Sequence, residues 1–166
     1  MSIPTPFNPM GTLGRAKRPF PMVRLTSNTA GSTVDGGPLP TGFRVGDTDD
    51  AWKMLNGDST ETSRVPFTAG IYYELDFGAE IELVSLSCYA RMNGSLESES
   101  QYWFVQALID GEYVKCSANI PINSWNAEGW KTAQVFDGTK ARVWRIQRGG
   151  GQNGRLHEID YNAFYA

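Results

Sequence analysis

The residues able to do chemistry are few and scattered. The single histidine, His157, stands in the run Leu156-His157-Glu158-Ile159-Asp160-Tyr161. A Ser–His–Asp or Cys–His site would need it beside a placed nucleophile. Its strand-like context puts it inside the sandwich or on its face, not in a cleft built by loops, and points to a structural or surface role. Acids occur in pairs, Asp49 with Asp50 and Glu80 with Glu82. Glycoside hydrolysis needs two carboxyls set apart in role, one as acid and one as nucleophile or base. Nothing marks such a pair among so many acids, and a solvated face is the simpler reading. Gly149-Gly150-Gly151 lacks the lysine and following helix of a phosphate cradle, so it reads as a loop. No HExxH, GxSxG, P-loop or CxxC pattern occurs. The two cysteines, Cys88 and Cys116, lie in apolar strand-like runs without metal-ligand spacing and read as buried thiols. The expectation is a chain that is not an enzyme.

The elements around these residues are short apolar runs between turn residues. Gly at 18 and Pro at 9 among 166 residues punctuate the chain densely, and no long run keeps the helical period. Strands are predicted at 22–26, 72–77, 81–90, 102–109, 112–118, 129–136, 141–147 and 155–164. The run Glu82-Leu83-Val84-Ser85-Leu86-Ser87 alternates, so one face of that strand is buried. Residues 49–54 suit a short helical turn capped by Asp49 or Asp50. Eight strands at this spacing predict an all-β antiparallel sandwich of the jelly-roll kind.

Residues 1–20 carry Pro4, Pro6, Pro9 and Pro19. Proline removes a backbone donor and fixes φ, so these residues are expected to form an extended N-terminal arm, with the sandwich over 21–166. Arg15, Lys17 and Arg18 form the one basic cluster, in that arm. A net charge of −3 argues against a nucleic-acid partner. No run is apolar and long enough to span a bilayer, and the start lacks the apolar segment of a secretion signal. The expectation is therefore no membrane partner and a protein that folds where it is made.

Taken in order, the segments resemble the discoidin-like, or galactose-binding-like, jelly-roll domain. The opening "LTSNTAGSTVDG", the Ala51-led turn ending at Asn56-Gly57, and the strand ending Asp76-Phe77-Gly78 fill that family's places. Downstream, Ile109-Asp110-Gly111-Glu112-Tyr113, the strand Ala141–Ile146 and the closing Leu156–Tyr161 continue the match. The opening looks most like the versions found in bacteriophage tail and virion proteins.

The resemblance implies a non-enzymatic virion component, assembled in the host cytoplasm. It would dock onto other virion proteins in multiple symmetric copies, through the jelly roll and the arm. The alternative it implies is a carbohydrate-binding or host-receptor-recognition module. Sugar-binding members present aromatic and charged side chains from loops at one end of the sandwich. That places Trp125, Trp130, Asn123 and Asn126, with Arg91 and Asn93, as candidates for contact with a glycan or a protein. The same tryptophans suit a core or an interface. The family often holds structural calcium near the Asp-Gly turn, which maps onto Asn56, Asp58, Thr60 and Glu158. Asn56 stands where the family usually has Asp, and Asn56 and Asp58 could equally bond their own backbone as Asx turns.

Overall fold

The computed structural model describes residues 16–25, 27, 44–46, 51–60, 65–66, 70–92, 102–121, 129–149 and 154–166. They hold nine strands: β1 (Arg44–Gly46), β2 (Val65–Pro66), β3 (Tyr72–Met92), β4 (Tyr102–Ile109), β5 (Glu112–Lys115), β6 (Ile120–Pro121), β7 (Gly129–Gln134), β8 (Lys140–Gly149) and β9 (Gly154–Tyr165). All the pairings are antiparallel.

Strand β3 organises the molecule. The two strands expected at 72–77 and 81–90 are one 21-residue strand that turns a corner. Gly78 sits at the corner with φ of +70°, a conformation open to glycine because it has no Cβ. The register with β8 breaks between Asp76 and Ile81. Before the corner, β3 pairs with β1 and β8, and β8 continues to β4, β5 and β6. After it, β3 keeps β8 at Ile81 and Glu82 and pairs with β7 and with β9, which carries β2. One strand thus runs through both layers of a sandwich.

The core lies between the layers. Tyr73, Leu75, Trp103, Val105, Trp144 and Ile146 come from the first layer, and Leu86, Cys88, Ala133, Ile159 and Ala163 from the second, all of them buried. The short 3-10 turn Ala51–Leu55 buries Ala51, Met54 and Leu55 against β9. Asp49 and Asp50, its expected caps, fall outside the described residues. Cys88 and Cys116 are both buried free thiols.

Two β-bulges reset the side-chain alternation of the second layer. Leu83 pairs with Ala163 and Ser85 with Asn162, which leaves Val84 extra. Leu83 and Leu86, three residues apart, are therefore both buried, and the strict alternation expected over 82–87 is broken at Val84. The second bulge is at His157, because Glu158 pairs with Tyr89 while Leu156 pairs with Ala90. At the β4–β5 hairpin, Asp110 (φ +51°) and Gly111 (φ +86°) form the two-residue turn that the Asp-Gly pair favours.

The strand expected at 22–26 is absent over Met22–Leu25. The backbone there bonds elsewhere: Val23 N–H donates to the Tyr161 hydroxyl at 3.0 Å and Leu25 N–H to the Leu55 carbonyl at 2.7 Å. Residues 16–20, the described end of the arm, lie along this chain's own domain. Pro19 bridges to Phe164, Phe20 is buried against Phe77, and Lys17 pairs with Glu82 at 2.5 Å.

Candidate functional site

At one end of the second layer β3 closes while β7 and β9 open, with Ala90 opposite Gly129 and Met92 opposite Gly154. In the first layer Tyr102, which opens β4, pairs with Gly149, which closes β8. Residues 93–101, 122–128 and 150–153 start and finish at these strand ends. The sequence candidates Asn93, Asn123, Trp125 and Asn126 lie outside the described residues, inside two of those segments. Arg91 is in β3, in register with Arg155.

Trp130 is described, and it is neither core nor loop. It is the second residue of β7, opposite Tyr89, and its side chain is 47% exposed. An indole left half-open forgoes about half the free energy of burying it, roughly 1 kcal/mol. Its ring stands edge-on to Tyr89, with centroids 5.5 Å apart and planes at 64°. Tyr89 meets the His157 ring in the same manner at 6.0 Å. The three rings form a row from solvent to interior, since His157 is buried. On the same outward face the Ser87 and Thr132 hydroxyls are 2.7 Å apart, and exposed Asp160, Asn162 and Gln134 follow along the strands.

The bulge makes the inner part of the row. One extra residue in β9 lets both His157 and Glu158 reach the turn that follows the 3-10 turn. His157 Nδ1 is 3.0 Å from the Thr60 carbonyl oxygen. A carbonyl only accepts, so Nδ1 carries the proton and donates. His157 Nε2 is buried without a hydrogen-bond partner, and so is Glu158 Oε2. Glu158 Oε1 accepts from Gly57 N–H at 3.3 Å and from Arg24 Nη1 at 3.2 Å. Burial pushes the Glu158 carboxyl up to about 7, with the Arg24 charge and the Gly57 N–H pulling the other way. The turn holds its own shape: Asn56 Oδ1 accepts from Asp58 N–H at 2.8 Å, and Asp58 Oδ1 accepts from Thr60 N–H at 2.9 Å. These are the Asx turns weighed from sequence; Glu158 meets the turn at the Gly57 N–H and His157 meets it at the Thr60 carbonyl.

Sequence reasoning missed Tyr89 and Arg24. Tyr89 had a readable signal, being an aromatic in outward phase with Ser85 and Ser87. Arg24 had none, because its partner is 134 residues away in the chain.

The arrangement suits stacking and hydrogen bonding better than bond cleavage. Burial raises the Cys88 thiol well above its ordinary value, which keeps it protonated and a poor nucleophile. An exposed aromatic ring beside hydroxyls and amides fits the apolar face and hydroxyl rim of a sugar.

No protein-family model matches the chain, and no curated protein sequence matches it. Solved structures do. A CBM32 domain of CpGH89 from Clostridium perfringens superposes with a TM-score of 0.53 at 14% identity, over 74% of this chain and 92% of that one. CBM32-1 from a family 31 glycoside hydrolase of the same organism gives 0.50 at 18% identity, covering 77% and 96%. The lectin domain of lectinolysin, solved with Lewis B antigen, gives 0.53 at 16%, covering 79% and 98%.

Proposed function

We propose that this chain, which has the discoidin-like, galactose-binding-like jelly-roll fold, is a non-catalytic carbohydrate-binding module. The observation that carries the reading is the half-exposed Trp130 indole braced edge-on by Tyr89. A ring held in one orientation loses little freedom when a sugar stacks on it, so its contact energy goes into affinity. Exposed Gln134, Asn162 and Asp160 on the same face supply hydrogen-bonding groups for hydroxyls. That similar folds include a lectin domain solved with Lewis B antigen supports this reading.

A glycan array followed by calorimetry on the best hit tests it. Binding is expected in the wild type, with at least about a ten-fold loss in Trp130→Ala, the equivalent of ~1.4 kcal/mol of stacking. A smaller loss is expected in Tyr89→Phe, which keeps the brace. Docking onto virion proteins draws its support from the sequence resemblance and the basic arm. In that reading Trp130 anchors a protein interface. A blank array would favour it and defeat the glycan reading.

A further inference from the structure

We infer that Arg24 replaces the calcium ion that the resemblance implies. Its guanidinium supplies the positive charge that ties the Asn56–Thr60 turn to Glu158, and the residues gathered there do not hold a divalent cation.

The space is already filled. A Cβ on Gly57 would lie 3.4 Å from both Cδ and Nε of Arg24, so the arginine stem runs directly under the turn. Its Nη1 is 3.2 Å from Glu158 Oε1, the same oxygen that accepts the Gly57 N–H. A divalent ion on that carboxylate would sit beside a fixed guanidinium, and like charges at such spacing repel. The other donors are committed to the turn, with Asn56 Oδ1 and Asp58 Oδ1 both accepting backbone N–H groups. Among the described residues no group of three or more His, Cys, Asp or Glu is placed to hold a metal. Calcium needs six to eight oxygens, several of them charged. Among the described residues, one buried carboxylate faces one arginine here.

Arg24 is also delivered rigidly. The residues on either side, Val23 and Leu25, are buried and pinned through their N–H groups to the Tyr161 hydroxyl and the Leu55 carbonyl. Three parts distant in sequence therefore meet at one charge: the 20–25 segment, the turn after the 3-10 turn, and the bulged start of β9. An ion brings such parts together from solution, whereas an arginine is part of the chain and cannot be chelated away.

The test is thermal unfolding of the purified chain at pH 8, with a chelator and with millimolar calcium. The expected midpoint is the same in both. A calcium site with a dissociation constant of about 10 µM would raise the midpoint by about 5–10 °C at millimolar calcium, and such a rise would overturn the inference. Arg24→Ala is expected to lower the midpoint by about 4–10 °C by stranding a buried carboxylate. Arg24→Lys, which keeps the charge, should recover part of that loss. Glu158→Gln in the Arg24→Ala background should recover most of it. An Arg24→Ala variant as stable as the wild type, or one that Glu158→Gln does not relieve, would equally overturn it. Should Arg24→Ala not fold, the wild-type calcium titration and the Arg24→Lys midpoint still decide.

Discussion

Two outward faces of this sandwich carry the residue types of a ligand platform, and they differ in how their polar groups are used. On the first layer, Arg145 lies over the Tyr113 ring at 3.5 Å and near Tyr72 at 4.8 Å, while its Nε donates to Gln106 Oε1 at 2.8 Å. Tyr113 donates its hydroxyl to Glu74, and Lys115 sits 4.9 Å over Phe104. Desolvation, followed by the bond to Glu74, pushes the Tyr113 phenol up to about 12, so it stays a donor. These groups satisfy one another. On the second layer the ring of Trp130 is open to solvent, beside the exposed side chains of Gln134, Asp160 and Asn162. Residue types alone do not separate a stabilising face from a binding face. The distinction is whether the hydrogen-bonding capacity is already met from within.

On the saturated face the largest stability effect expected belongs to Arg145. Arg145→Ala removes two cation–π contacts and a hydrogen bond and should cost about 1–2 kcal/mol, a fall of roughly 3–6 °C in the unfolding midpoint, while leaving glycan binding unchanged. A variant that keeps its stability and loses binding would reverse the assignment of the two faces.

A pH-dependent effect comes from Glu158. Its carboxyl titrates higher in the folded chain than in the unfolded one, so the folded state binds the extra proton. Stability from this group is fully present below the unfolded value and is lost as pH rises toward about 7. Facing it are Arg24 from the 20–25 segment, the Gly57 and Asp58 N–H groups of the turn, and Asp160 on its own strand. The unfolding midpoint of the wild type should fall between pH 5 and pH 8 relative to Glu158→Gln. Parallel profiles would mean that the carboxyl is not buried as described.

Gly149→Ala probes the first layer at the end of β8. A Cβ there would meet the Tyr102 ring at 2.5 Å, and the ring must lift away. The clash is with the far end of a side chain and not with backbone, so a cost of about 1 kcal/mol is expected. A loss above about 3 kcal/mol would show that Tyr102 cannot move. Trp130→Ala should cost no more than about 1 kcal/mol, because the half-exposed indole contributes to folding mainly through its edge-on contact with Tyr89.

Much of the fold was legible because its signals are local. Strand β4 falls at the expected 102–109, and the Asp110-Gly111 turn carries its own mark in sequence. The rest was set at long range. The corner at Gly78 joins two expected strands into one because β3 must supply a partner to both layers. The bulges at Val84 and His157 are visible only in the register of β9 against β3. Without the second bulge, Leu156 to Ile159 reads as plain alternation, and the placing of His157 and Glu158 on one turn stays hidden. Trp103, Trp130 and Trp144 look alike in sequence, yet the first and last are fully buried and the middle one is half-exposed. Arg24 and Glu158 are too far apart in the chain for either residue to reveal the other.

The most direct test of the account is the glycan affinity of three proteins measured side by side: wild type, Trp130→Ala and Tyr72→Ala. Tyr72 is the matched control, an aromatic 37% exposed on the saturated face. The account predicts binding that Trp130→Ala weakens by at least about ten-fold and that Tyr72→Ala leaves intact. Loss of binding in Tyr72→Ala with Trp130→Ala unaffected, or no glycan bound by the wild type, would contradict it.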